Sequence, residues 1–179
     1  MKDVSIIIPA YNDSEGIKTT LKSLLDLNYS INNHEIIAVD NGSTDRTKPV
    51  MENIAKRHNH VHVLVENDIQ SSYAARNKGI RHASGEILVF VDADMTVMES
   101  WLTNLVKLFE DSGADYIGCK VDVFISGKTK TLIGRYSIAH EFPVELYLNE
   151  ENFAPTCCMA VRRAVTAEVG VFRPDLISG

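Results

Sequence analysis

Glycine-rich loops, long apolar runs and an excess of positive charge are all missing from this 179-residue chain. No apolar run approaches the roughly 20 residues that span a bilayer. Met1-Lys2-Asp3-Val4 leads straight into a strand-like segment and does not read as a secretory leader. Lys and Arg number 18 against 24 Asp and Glu, a formal net charge of −6, which speaks against a nucleic-acid backbone as ligand. Cysteine is scarce: Cys119, Cys157 and Cys158 are odd in number and two are adjacent, so they make neither a disulfide framework nor a metal-ligand spacing. Reduced, buried thiols in a cytoplasmic protein are the expectation. No Gly-x-Gly-x-x-Gly follows the first strand, which disfavours a dinucleotide-dependent dehydrogenase. Internal repeats and low-complexity segments are absent too.

What is present is the composition of one globular domain with a substantial core, 45% hydrophobic and 23% charged. The chain is organised around Gly85 to Asp94, where the apolar run Ile87-Leu88-Val89-Phe90-Val91 ends abruptly in Asp92-Ala93-Asp94. Such a run, β-branched and aromatic and flanked by glycine and acid, predicts a strand buried on both faces. Its carboxylates then sit at the strand's C-terminal end, where open α/β sheets bind ligands. Two acids one residue apart repel each other unless a cation or hydrogen-bond donors offset them, so a divalent metal with an anionic ligand is the leading reading. A turn acid followed by a helix cap is the bland alternative.

The same grammar repeats along the chain. Val4 to Ile8 predicts a first strand stopped by Pro9, and Asn12 with Glu15 offers a capping box for a helix through Ile17, Leu21, Leu24 and Leu25. Glu35 to Val39 predicts a second strand ending in Asp40-Asn41-Gly42, with a helix from about 45–47 to about 58 that holds Pro49 in its first turn. Val61 to Val65 predicts a third strand. Ser71 or Ser72 can cap the following helix, which carries Ala75, Arg76, Gly79 and Ile80. Met98, Trp101, Leu102, Leu105, Val106 and Phe109 recur at helical spacing, and Gly113 ends that helix. Four strand–helix units predict an α/β domain, three layers deep, around a mostly parallel, Rossmann-like sheet with the first strands ordered 3-2-1-4. Beyond Gly113 the pattern loosens into a strand over 115–124, an ambiguous helical stretch over 132–148 interrupted by Pro143, a strand over 156–161, and a short helix over 162–168 with Gly170 as its cap. His140, Glu141 and Glu145 read as a solvated helix face.

Four motifs in order, Ser5-Ile6-Ile7-Ile8-Pro9-Ala10-Tyr11-Asn12, Val39-Asp40-Asn41-Gly42-Ser43-Thr44-Asp45, Ala75-Arg76-Asn77-Lys78-Gly79 and Val91-Asp92-Ala93-Asp94, resemble family 2 glycosyltransferases of the GT-A fold. The likeness continues more weakly through Cys158 to Arg163 and Val169 to Phe172. It implies a nucleoside diphosphate sugar donor, most often UDP-linked, a carbohydrate or lipid-linked hydroxyl acceptor, Mn²⁺ or Mg²⁺ as cofactor, and inversion at the anomeric carbon. By motif, Pro9, Ala10 and Tyr11 would flank the base, Asp40 would accept from its ring N–H, and Arg76 would lie near the phosphates. Asp92 would hold the ribose or the metal's water shell, and Asp94 would ligate the metal. Residue by residue the bland readings are a Tyr11 packed on the sheet edge, an Asp40 that caps a turn, and an Arg76 that is a surface partner of Asp92 or Glu66.

The resemblance divides the chain into a nucleotide-sugar-binding half, 1–113, and the start of an acceptor-side region, 114–179. The family's catalytic base belongs to an acidic pair just past the loop that here reads Pro174 to Gly179, so the base is expected beyond Gly179, and Asp175 does not replace it. The expectation is therefore the donor-binding portion of a longer enzyme, cytoplasmic and, in a longer form, peripheral to the membrane. The rival readings are a catalytically inactive nucleotide-binding module and a sugar-nucleotide nucleotidyltransferase. The latter would need a glycine-rich basic loop where this chain has Pro9-Ala10-Tyr11-Asn12-Asp13.

Overall fold

A computed structural model describes residues 3–123, 144, 147, 150 and 154–173. The strands are β1 (Val4–Ala10), β2 (His34–Asp40), β3 (Val61–Val65), β4 (Ile87–Val91), β5 (Tyr116–Gly118) and β6 (Cys158–Arg162). The helices are α1 (Ser14–Leu25), α2 (Thr47–Ala55), α3 (Ser72–His82), α4 (Trp101–Ser112) and α5 (Arg163–Val169). One sheet takes the order β3-β2-β1-β4-β6-β5. The first four strands are parallel in the expected 3-2-1-4 order, while β6 joins β4 and β5 antiparallel.

β4 reads as an unbroken apolar run, and β1 and β2 as mostly apolar ones, because helices cover both faces of the sheet. Ile6, Ile8, Ile36, Ala38, Val89 and Val91 pack with Leu21 and Leu24 of α1, Met51 of α2, and Leu102, Leu105 and Phe109 of α4. On the other face Ile7, Ile37, Val39, Leu88 and Phe90 meet Ala75 and Ile80 of α3. Gly79 lets α3 lie this close, since a Cβ there would overlap the Ile7 side chain. The result is three layers, with every parallel strand delivering its C-terminal end to one edge.

Several local expectations are corrected. Asn12 does not cap α1; Asp13 does, its Oδ1 accepting from the Gly16 N–H at 2.9 Å. Asn12 instead takes a left-handed backbone, φ 48°, and serves the neighbouring loop. Met98 lies outside α4 and is 74% exposed, because the helix starts only at Trp101. The strand expected over 115–124 is only Tyr116–Gly118. Gly113 ends α4 as expected, in the left-handed region at φ 64°. The expected helical stretch over 132–148, with His140, Glu141 and Glu145, and the 174–179 loop with Asp175 lie outside the described residues, apart from 144 and 147.

At the opposite edge a buried acid ties three segments together. Glu35 Oε1 accepts from the Ser5 hydroxyl at 2.6 Å and from the Ser84 N–H and hydroxyl at 2.7 and 2.8 Å. Burial alone would raise this carboxyl, but those donors and His62 outweigh it and hold it below its ordinary value of 4.5. A depressed carboxylate stabilises the fold above its unfolded value and loses that contribution as pH falls through the folded one. Glu35→Gln is therefore expected to cost about 2 kcal/mol near neutral pH and progressively less as the pH falls below 4.5. Urea unfolding of both proteins across that range checks it; a gap that stays constant into acid would refute the linkage.

Candidate nucleotide-binding site

The C-terminal ends of β1, β2 and β4 converge on a cleft of about 430 Å³. Of the seven residues singled out by sequence, six line it: Pro9, Ala10, Tyr11, Arg76, Asp92 and Asp94. Tyr11 is 49% exposed, so its ring stands at the mouth of the cleft and is not packed down on the sheet edge. Asp40 does not line the cleft; its neighbour Asn41 does. The Asp40 carboxylate is buried, with Oδ2 accepting from the Ser43 N–H at 3.3 Å and Oδ1 without a hydrogen-bond partner among the described residues.

Arg76 is not a surface residue. It is 4% exposed, and its Nη2 donates to Asp92 Oδ1 at 2.6 Å. Its guanidinium carbon lies 5.8 Å from the Tyr73 ring centre and 6.0 Å from that of Phe172, two rings stacked 5.7 Å apart. Glu66, the alternative partner, pairs with Lys78 at 3.7 Å instead. Asp94 is exposed, and no hydrogen bond or ion pair engages its carboxylate among the described residues. The charged side chains around the cleft are thus three carboxylates, Asp13, Asp92 and Asp94, and one guanidinium.

The loops that frame the cleft are held by side chains whose role sequence reasoning missed. Asn12 Oδ1 accepts from the Thr44 and Asp45 N–H groups at 2.8 and 3.3 Å, tying the β1 exit to the β2 exit. Asn41 Nδ2 donates to the carbonyls of Glu66 and Ile69 at 3.1 and 2.9 Å, fixing the β3 exit. The buried Thr20 hydroxyl lies 2.7 and 2.8 Å from the carbonyls of Ala93 and Met95, so α1 clamps the acid loop. Asn77 Nδ2 donates to the Phe172 carbonyl at 2.7 Å and its Oδ1 accepts from the Phe172 N–H at 3.0 Å, which seats Phe172 against Arg76. The signals were present as Asn12, Asn41 and Asn77 inside the quoted motifs; their partners are far off in the chain.

The family model described as Glycosyl transferase family 2 matches residues 5–170. This chain belongs to that family. Glycosyltransferase AglE of Haloferax volcanii is 35% identical over 176 residues, 98% of this chain and 58% of that protein. Among solved structures, the mannosyltransferase PcManGT from Pyrobaculum calidifontis, in complex with GDP-Man and Mn²⁺, superposes with a TM-score of 0.75 at 24% identity, over 97% of this chain and 48% of that one. S. aureus TarS 1–349, in complex with UDP-GlcNAc, gives 0.71 at 22% identity, over 97% and 49%. These neighbours establish the GT-A fold for the family 2 chain. The chain spans about half the length of the proteins it matches. No helix among its described residues is long and apolar enough to cross a membrane.

Proposed function

We propose that this family 2 chain binds a nucleoside diphosphate sugar in the β1–β2–β4 cleft and that the protein to which it belongs transfers the sugar, with inversion, to a hydroxyl acceptor. The observation that carries the reading is the charge set of the cleft, three carboxylates around one buried arginine. A diphosphate entering it meets net negative charge and needs added cation. The donor set fits Mn²⁺ or Mg²⁺, which are held through one or two carboxylates together with ligand phosphates. Among the described residues no group of three or more His, Cys, Asp or Glu could hold an ion by itself, consistent with an ion shared with the ligand. Bound there, the metal would neutralise charge developing on the leaving diphosphate.

In this reading Asp94 ligates the ion and Asp92 holds the ribose or the ion's water shell. Arg76 orients Asp92 and faces the phosphates from the cleft wall. Tyr11, with Pro9 and Ala10, offers an apolar platform for the base. Asp40, buried next to the cleft residue Asn41 with an Oδ1 that has no partner among the described residues, accepts from the ring N–H of the base. UDP is the favoured carrier and the acceptor a carbohydrate or lipid-linked hydroxyl. The acceptor proton requires a general base, and none of the cleft residues is assigned that role. A cytoplasmic location accompanies this reading, because nucleotide sugars are its substrate class.

Calorimetric titration of the 179-residue protein with UDP and with GDP, each with and without Mn²⁺, tests the reading. One nucleotide should bind in the presence of Mn²⁺ and weaken at least tenfold, as an order of magnitude, without it. Binding that ignores the metal removes the metal from the site, and no binding of either nucleotide overturns the donor-site assignment.

A further inference from the structure

Cys119 and Cys158 face each other across the ladder at the edge of the sheet. β5 and β6 run antiparallel with Gly118 opposite Met159, so the next rung sets Cys119 opposite Cys158. The Cys119 N–H donates to the Cys158 carbonyl at 2.9 Å. Directly opposed residues of an antiparallel pair hold their Cα atoms about 4.5–5.5 Å apart, inside the roughly 4.4–6.8 Å that a disulfide bridges. Both thiols are free, and each is the largest influence on the other's acidity.

The contact is chemically asymmetric. The hydrogen bond from Cys158 lowers the Cys119 thiol below its ordinary range, against burial and with help from the Trp101 side chain. The same hydrogen bond, together with burial, pushes Cys158 up. Cys119 is thus the more acidic sulfur of the pair, and Cys158, opposite it on the ladder, the resolving partner.

The location gives a bridge something to act on. Among the described residues β5 pairs only with β6. The chain leaving β5 supplies Val121, Asp122 and Val123 to a second cavity of about 550 Å³, shared with Asp92, Asp94 and Cys157. Cys158 also stands opposite Val91, the residue before Asp92.

We propose that Cys119 and Cys158 are a modification site, a thiol pair that hydrogen peroxide converts to a reversible intramolecular disulfide, pinning the 121–123 wall of the cavity shared by Asp92 and Asp94. The Cys119 thiolate attacks one peroxide oxygen and becomes a sulfenic acid, the leaving hydroxide taking a proton to form water. The Cys158 sulfur then attacks the Cys119 sulfur, its proton leaving with the sulfenic hydroxyl as a second water. Two thiols are oxidised by two electrons in all, and one peroxide is reduced to two waters. The inference goes beyond the proposed transferase reading and does not depend on it.

The experiment exposes the folded, reduced protein to hydrogen peroxide, unfolds it, blocks remaining thiols with N-ethylmaleimide, and measures intact and peptide masses. The expected product has lost two hydrogens, carries one maleimide adduct in place of the three of the reduced protein, links the peptides containing Cys119 and Cys158, and reverts with dithiothreitol. Cys157→Ser should still form the bridge, whereas Cys119→Ser should not. Three retained adducts, oxygen addition without a bridge, or a bridge lost in Cys157→Ser would overturn the proposal. Hydrogen exchange of the wild-type protein reads the pinning without any substitution: amides of 121–123 should exchange about tenfold more slowly when oxidised, and unchanged exchange would overturn that part.

Discussion

Asp94→Ala should weaken Mn²⁺-supported nucleotide binding by about 100-fold or more while leaving the melting temperature unchanged. Changes to groups that merely orient a metal ligand typically cost about 10–100-fold in metal affinity, and removal of a ligand itself belongs at the upper end of that range. Stability is spared because Asp94 is exposed, beyond the end of β4, with no hydrogen bond or ion pair among the described residues. Substitutions at such surface positions usually stay within about 0.5 kcal/mol. The telling comparison is internal to the variant: its nucleotide affinity should be the same with and without Mn²⁺. A variant that keeps the wild-type metal dependence places the ion on other groups.

Arg76→Ala should act on stability and binding together. The guanidinium is buried, paired with Asp92 at 2.6 Å, and flanked by the Tyr73 and Phe172 rings. Its removal leaves a carboxylate without its partner, a cavity beside the stacked Tyr73 and Phe172 rings, and a cleft whose charged side chains are all acids. Breaking a buried ion pair from one side costs about 3–5 kcal/mol. Because the Asp92 side chain is 37% exposed and water can take over part of the role, about 2–3 kcal/mol is expected here. Arg76→Lys should recover little of it, since an ammonium lacks the planar guanidinium that sits beside the stacked rings and donates to Asp92. A double-mutant cycle with Asp92→Asn, read by urea unfolding, isolates the pair. A loss below about 1 kcal/mol for Arg76→Ala would return the residue to the class of surface ion pairs.

The parts of this molecule that could be read from the chain are those with a local cause. A strand covered on both faces is mostly apolar, so β1, β2 and β4 announce themselves as apolar runs, and the acids Asp40 and Asp92 that end the β2 and β4 runs mark the binding edge. Helical spacing located Leu102, Leu105 and Phe109 on the buried face of α4, and the same rule over-reached at Met98 because an exposed residue can share the period by chance. Pro9, Ala10, Tyr11, Arg76, Asp92 and Asp94 were brought together as the motifs implied.

What only the tertiary structure decided are pairings between distant positions. The insertion of β6 beside β4, antiparallel in an otherwise parallel neighbourhood, depends on the register Leu88 to Val161, which no local pattern encodes. Arg76 could be read as a cation but not as a buried one, because its burial comes from Phe172, held by Asn77 95 residues earlier in the chain. Asp40 was read as a contact to the base; only the fold shows that its carboxylate is buried and accepts from the Ser43 N–H of its own turn. Cys119 and Cys158 looked like unrelated thiols until the β5–β6 ladder set them side by side. Periodicity records what each residue needs from its surroundings; which residue supplies it is settled by how the chain folds back on itself.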